Sequence, residues 1–388
     1  MKLTLDIKKK CSFFWLRGIK NARIDKCCVK CFSGIKFNEV YEQTHFKDKA
    51  HVELNLVPDI RVKAYYLCGL SQGFRYDDNT HVAFVPDEEN NIVWAKMLER
   101  AGCHVIYGLL GLKTHCKIAL VVRKEEDGIK RYIHLGTGNY NDSTAKLYTD
   151  CGIMTCSERI GEDATAVFNM LSGYSEPARW HKLAVAPIWM RAKFYSLIDR
   201  EIAHAKAGRS GRIVAKMNSI CDQAMIAKLY EASAAGVKID LIVRGICSLR
   251  VGIPGVSENI NVSSIVGNFL EHSRIYYFYN DGQEEIFMGS ADWMPRNLDR
   301  RVEIIFPVED EDAKTRARHI LEVNLADNKK AYYMDEKGDY NRIDKRGKKI
   351  VSAQETFVKE AMGKTESKNK GFSGRRFIPK SAPEGDDE

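Results

Sequence analysis

The sequence predicts an α/β protein made of two copies of one unit, each a mixed sheet flanked by helices. Three observations carry this expectation. Short apolar runs of strand length alternate with capped helical segments over most of the chain. A histidine followed two residues later by a basic residue occurs twice, as His115-Cys116-Lys117 and His272-Ser273-Arg274. Each is followed by a hairpin and a turn of small residues, Gly136-Thr137-Gly138-Asn139 and Gly289-Ser290-Ala291-Asp292. The two histidines are 157 residues apart, about one domain length, which suggests a pseudo-twofold between the copies.

In the first copy, 91–102 reads as a helix with Asn91 as N-cap and Gly102 as its stop. Residues 104–107 read as a strand, 117–122 as a buried strand and 131–135 as its neighbour. The polar stretch 123–130, with Asp127-Gly128, is the hairpin between them. His115 and Lys117 then stand at the start of one central strand. The glycine turn leaves the antiparallel neighbour, so both motifs meet at one end of the sheet.

The second copy opens with a helix over 188–208. Phe194, Leu197, Ile198 and Ala205 form its apolar stripe, with Glu201 at the edge. A strand at 212–217, a helix at 222–235 capped by Asp222 and stopped by Gly236, and a strand at 237–243 make a parallel β-α-β unit. Residues 274–279 and 285–289 form a hairpin turned at Asn280-Asp281-Gly282. A strand at 301–308 and a helix at 313–325 complete the copy. Residues 1–86 have a different texture, and no strand or helix series is read from them. The tail, 364–388, is rich in lysine and serine, then acidic, and is expected to be disordered.

Composition narrows the function classes only a little. The chain has 388 residues and a formal charge of +8, which favours anionic partners: nucleotide, polyphosphate, nucleic acid or an acidic membrane surface. No run approaches the roughly 20 apolar residues that span a bilayer. The start, Met1-Lys2-Leu3-Thr4-Leu5-Asp6, does not look like a secretory leader. Eleven cysteines without a disulfide-like rhythm suit a reducing cytoplasm. Cys28 and Cys31 form a lone C-x-x-C with no second pair at zinc spacing, so no metal ligands are assigned.

The two motifs are parts for handling phosphate. Free imidazole titrates near ~6.5, so neutral His115 is available as a nucleophile, and attack on a terminal phosphoryl group would give a phosphohistidine. Lys117 would share its face by the period of two in a strand, and the turn ending in Asn139 offers backbone N–H donors. His272 could lend or take a proton. Arg274 and Arg244 offer the fixed donor fork that suits phosphate, and Arg244 ends a strand just before Gly245. Tyr148 could stack on a base or bond a phosphate. Each has a plainer alternative: an exposed or structural His115, a His272 paired with Glu271, a salt-bridged Arg244, a buried Tyr148 with a satisfied hydroxyl.

At these residues a family resemblance is specific. The blocks Gly111-Leu112-Lys113-Thr114-His115-Cys116-Lys117, Tyr132-Ile133-His134-Leu135-Gly136-Thr137-Gly138-Asn139-Tyr140-Asn141, Tyr148-Thr149-Asp150, Val243-Arg244-Gly245-Ile246-Cys247 and Glu271-His272-Ser273-Arg274 resemble the C-terminal catalytic half of bacterial polyphosphate kinases. The resemblance runs from about 87 to 363. It implies two phospholipase D-like domains, 87–186 and 187–363, the first of them incomplete. It also implies reversible transfer of the ATP γ-phosphate to inorganic polyphosphate, with Mg2+. Under it, His115 is the phosphohistidine, Tyr148, Arg244 and His272 contact ATP, and His272 is the acid/base residue. ATP, ADP and polyphosphate are then the partners, with no nucleic acid. The family forms homo-oligomers through a domain without a counterpart here.

The departures from the family pattern matter as well. Phe84, Val85 and Pro86 stand where the family reads Ala-Arg-Phe, so Val85 replaces an arginine of the magnesium and phosphate site. A second family arginine, in a Leu-Tyr-Arg strand, has no counterpart. We therefore read residues 1–86 as non-native to the family, translated out of frame. Two other functions stand beside the kinase. A phospholipase D-like phosphodiesterase acting on lipid or nucleic acid would want Asp five residues after the lysine, where Val122 stands, and a second lysine where Arg274 stands. A non-catalytic remnant would keep the site residues while the sheet bearing His115 lacked neighbours. The coding DNA tests the frame reading: one alternative frame should yield an Arg-Phe ending and a Leu-Tyr-Arg strand, and their absence from both refutes it.

Overall fold

The apolar runs build two sheets that share one core. In this computed structural model the described residues are the strands at 63–67, 71–77, 80–84 and 104–106, then 108–363 apart from a few short gaps. The expected helix at 91–102, Val85, the Cys28/Cys31 pair and the 364–388 tail lie outside them.

The first half contributes β1 (Lys63–Leu67), β2 (Ser71–Asp77), β3 (Thr80–Phe84), β4 (His104–Ile106), β5 (Lys113–Thr114), β6 (Lys117–Glu125), β7 (Gly128–Gly136), β8 (Tyr148–Thr149), β9 (Gly152–Thr155) and helix α1 (Glu158–Leu171). Seven of these strands form one sheet in the order β1-β4-β2-β3-β6-β7-β9. The three strands at 63–84 were not expected; their runs are only five to seven residues long, too short to show a period. β3 pairs antiparallel with β6 from Thr80–Arg123 to Phe84–Ala119, so the strand after His115 has a neighbour on each side. The β6–β7 ladder continues to Glu125 opposite Gly128. The polar residues 123–130, expected to be hairpin, are therefore mostly strand, and their polarity marks a solvent-facing ladder.

The second half adds β10 (Ala184–Val185), α2 (Met190–Lys206), β11 (Arg212–Met217), α3 (Gln223–Ala234), β12 (Lys238–Val243), β13 (Ile260–Ile265), β14 (Leu270–Glu271), β15 (Ile275–Phe278), β16 (Glu285–Gly289), α4 (Pro295–Asp299), β17 (Arg301–Val302), β18 (Ile304–Pro307), α5 (Glu311–Leu325), β19 (Ala331–Met334), β20 (Tyr340–Arg342) and α6 (Ala353–Ala361). Its nine-stranded sheet runs β10-β18-β16-β15-β11-β12-β13-β19-β20. The β-α-β unit is present: β11 and β12 pair in parallel, and the Asp222 side chain caps α3 by accepting the Met225 N–H. The β15–β16 connection puts Asn280 (φ 46°) and Asp281 (φ 52°) in the left-handed region, which short polar side chains tolerate.

Two expectations need correction. Glu201 is not at the edge of the helical stripe but fully buried. Its carboxylate accepts the backbone N–H groups of Arg212 (3.1 Å) and Asn280 (2.8 Å), which satisfies it inside the core. The single strand expected at 301–308 breaks at Glu303. β18 stays in the large sheet, while β17 leaves to pair in parallel with β5, Arg301 against Lys113 and Val302 against Thr114.

A matching exchange occurs on the other side, where β14 pairs in parallel with β8, Leu270 against Tyr148 and Glu271 against Thr149. In each exchange the strand leading to one histidine lies beside the strand leading to a carboxylate of the other half. This gives the pseudo-twofold a physical form. The core follows it: Ile118, Leu135, Ile160 and Phe168 pack in one cluster with Ile275, Met288, Ile304, Phe306 and Phe357.

Because the halves share this cluster, they should unfold together. Phe306→Ala is expected to cost ~3–5 kcal/mol and shift a single urea transition followed by tryptophan fluorescence. Two separated transitions, only one of them displaced, would contradict the shared core.

Candidate active site

Each histidine is fixed by a carboxylate from the opposite half. His115 lies between β5 and β6, not on a strand, because the chain here crosses to the second half; its N–H donates to Val302 O at 2.9 Å. The Nδ1 atom is 2.9 Å from both Glu303 oxygens. Glu303 sits at the break between β17 and β18, fully buried, and accepts from Asn297 Nδ2 at 2.5 Å. Burial pushes the His115 ring down to about 4, against the Glu303 carboxylate and with the Lys117 and Arg274 charges. Burial opposes ionisation of Glu303, yet the His115 ring and Lys117 hold it below the usual carboxylate range. The pair is thus a neutral imidazole donating Nδ1–H to a carboxylate. Among the described residues, Nε2 of His115 has no hydrogen-bond partner.

The second histidine repeats this with one difference. His272 Nδ1 is 2.8 and 3.0 Å from the Asp150 oxygens. Burial lowers the ring's pKa, Asp150 opposes this, and Arg274 and Lys117 reinforce it. For Asp150, burial works against ionisation, but His272, Arg274 and the Thr137 hydroxyl (2.8 Å) bring it down to about 2. Gly138 is required here: a Cβ would lie 2.2 Å from Asp150 Oδ2. The glycine turn therefore serves first to lay the chain over Asp150, and its Thr137 N–H is spent on Cys151 O. The difference lies at the His272 ring, both of whose nitrogens have Arg274 Nη1 close by, at 3.3 Å from Nδ1 and 3.2 Å from Nε2.

Arg274 is buried and held by Asp292 through Nε (3.2 Å) and Nη2 (3.1 Å), with Nη1 also on Thr137 O (3.2 Å). Asp292 accepts the Asn218 N–H at 2.7 Å, and Asn218 Oδ1 accepts from Arg244 Nε at 2.9 Å. Arg244 is half-buried and makes no ion pair among the described residues. The Tyr148 ring lies 4.8 Å from that of His272. Lys117 is buried, but it does not alternate with His115 on one strand; its Nζ turns back to donate to His115 O. Asn139 is half-buried at the end of its turn and outside this hydrogen-bond network.

The structure thus joins His115, Lys117, His272, Arg274, Arg244 and Tyr148 in one neighbourhood, and each histidine feels the cation of the other copy. Glu303, Asp150, Asp292 and Asn218 were given no role from sequence. A readable signal existed for Glu303, the one carboxylate inside the run Val302-Ile304-Ile305-Phe306. For magnesium the fit is poor. Among the described residues no three possible ligands cluster, and Asp150, Glu303 and Asp292 are already bonded to histidine or arginine. The ion commonly binds through one or two carboxylates together with substrate phosphates, and these carboxylates are not placed as a protein cage.

Family models match the chain in two stretches: "Polyphosphate kinase C-terminal domain 1" over 83–177 and "Polyphosphate kinase C-terminal domain 2" over 183–354. The chain belongs to the polyphosphate kinase family. It is 56% identical over 275 residues to the polyphosphate kinase of Lactiplantibacillus plantarum, covering 71% of this chain and 38% of the relative. It is also 56% identical over 272 residues to that of Halalkalibacterium halodurans, covering 70% and 39%. The crystal structure of polyphosphate kinase from Porphyromonas gingivalis superposes with a TM-score of 0.68 at 39% identity, covering 72% of this chain and 44% of that one. The chain therefore spans about two fifths of the curated relatives' length. No helix among the described residues is long and apolar enough to cross a membrane.

Since Glu303 favours the charged ring against burial, Glu303→Gln should move the His115 titration midpoint below its wild-type value of about 4. Histidine NMR across the acid range reads this directly. A midpoint that rises would contradict the assigned electrostatics.

Proposed function

We propose that this chain transfers the terminal phosphoryl group of ATP to inorganic polyphosphate, reversibly, through a phosphohistidine at His115. The observation that carries the reading is the asymmetry between two otherwise matched histidines. Among the described residues, His115 has Nδ1 tied to Glu303 and Nε2 without a partner, whereas the His272 ring has the Arg274 guanidinium against both of its nitrogens. A neutral ring with an accessible lone pair is a nucleophile, and a ring held between a carboxylate and a guanidinium is suited to proton handling and phosphate contact.

In this reading the His115 Nε2 lone pair attacks the γ-phosphorus. The N–P bond forms as the bond to the β-bridging oxygen breaks, and ADP leaves. The ring now carries positive charge, which the buried Glu303 carboxylate stabilises through Nδ1–H. A terminal oxygen of the polyphosphate chain then attacks phosphorus, the N–P bond breaks and neutral His115 returns. Lys117, Arg274 and Arg244 hold phosphate oxygens, with Asn139 at the turn beside them. Tyr148 and His272 contact the nucleotide, and His272 moves the proton. Magnesium, arriving with the nucleotide, would neutralise phosphate charge. Residues 87–186 and 187–363 are the two catalytic domains, working in the cytoplasm. The site gives the phosphodiesterase reading nothing specific: Val122 lies within the β3–β6–β7 ladder, opposite His81 and Arg131.

Incubation with γ-labelled ATP and magnesium should place acid-labile, base-stable label on the chain, and His115→Ala should abolish it. Glu303→Gln should slow labelling on the order of 10³-fold. Absence of label on the wild-type chain would favour the non-catalytic remnant, and cleavage of a phosphodiester would favour the second enzyme. Because His115 titrates near 4, lowering the pH from about 7 to about 5.5 should leave its neutral form nearly intact. A tenfold fall in single-turnover labelling over that range would contradict the depressed ring.

A further inference from the structure

The second histidine depends on a helix far along the chain. Gln354, in the first turn of α6, is buried and spends its whole amide on the segment that leads to His272. Its Nε2 donates to Phe269 O at 2.8 Å and to Glu271 Oε1 at 2.6 Å, and its Oε1 accepts the Phe269 N–H at 3.1 Å. Gly267 makes room for this, since a Cβ there would lie 2.2 Å from Gln354 Oε1. The amide thus pairs with Phe269 much as a neighbouring strand would.

The other end of that contact is Glu271, the residue before His272. Its second oxygen meets Lys216 Nζ at 3.0 Å and accepts from the Thr149 hydroxyl at 3.1 Å. Glu271 and Lys216 are both buried, so each must keep its partners. Thr149 and Glu271 are register partners in the β8–β14 pair, which carries Tyr148 and leads into Asp150 on one side and into His272 on the other. The helix itself is anchored at both ends. Ala353 N–H donates to Asp327 at 2.7 Å, and Glu360 pairs with Arg316 (2.6 Å) and His319 (2.7 Å) on α5. His115 is held differently, by β5–β17, Glu303 and Asn297, whose bonds to one another and to His115 do not pass through α6.

We propose that α6 is a latch on the second histidine, with Gln354 as the positioning residue that fixes Glu271 and, through it, the strand pair that carries Tyr148 and leads into Asp150 and His272. This rests on the reading above only for what His272 does. It assigns to the C-terminal helix control of one half of the site, the half that handles proton and nucleotide, while the nucleophile stays independent of it.

The test is a pH titration of the full chain labelled with 13C at histidine Cε1, with His115→Asn and His272→Asn used to assign the two signals. The groups facing His272 are Asp150, Arg274, Lys117 and the Tyr148 ring. Gln354→Met keeps the volume and removes the hydrogen bonds. It should let His272 move from its depressed midpoint toward the ordinary ~6.5 while His115 stays in place. Gln354→Glu, which still accepts from Phe269 but sets a second carboxylate against Glu271, should act in the same direction. An unmoved His272, a joint shift of both histidines, or loss of cooperative folding in both variants would overturn the latch. Failure of the phosphohistidine reading would show separately, as absence of label on the wild-type chain, since the titration needs no phosphoryl transfer.

Discussion

The site depends on a reciprocal exchange: each half of the chain supplies a histidine and orients the other half's histidine with a buried carboxylate. His115 takes Glu303 and His272 takes Asp150, at 2.8–3.0 Å in both cases. Two short parallel strand pairs set this geometry, and each lies one residue before its hydrogen-bonded histidine and carboxylate. Neither half can form a complete site alone. The continuous apolar cluster beneath the exchange is the packing counterpart of the same fact.

The exchange also explains how so many charges tolerate burial. Lys216, Glu271, Arg274, Asp292 and Glu303 are all buried, and each has a partner of opposite charge or a ring N–H. Burial raises the cost of any unpaired member to several kcal/mol, so the network resists rearrangement. Its effect on chemistry is to hold donors and charges in place before substrate arrives. The same burial favours the neutral form of both imidazoles. Among the described residues Arg244 makes no ion pair, unlike the buried Arg274 and Lys216.

Much of the fold was legible because its signals are local. The Asp222 cap, the Asn280-Asp281 turn and the apolar runs of β6, β7, β11 and β12 each follow from residues within one element. The repeat of histidine and basic residue located the site. What sequence reading missed comes from contacts across more than a hundred residues. Nothing local says that Glu303 will break a strand to reach His115, or that Gly138 is small because Asp150 lies beneath it. Lys117 was expected to share a face with His115, but the chain crosses between halves at that point and period-two alternation does not apply. Glu201 was placed at the edge of a stripe because its backbone partners belong to distant turns. The strands at 63–84 are only five to seven residues long, too short to show a pattern without their neighbours.

The most direct measurement is 31P NMR of the chain after reaction with ATP and magnesium, which distinguishes phosphate on the two imidazole nitrogens. With Nδ1 of His115 committed to Glu303, the account predicts one phosphoryl group per chain, on Nε2 of His115. A phosphoryl group on Nδ1, or one on His272, would contradict it.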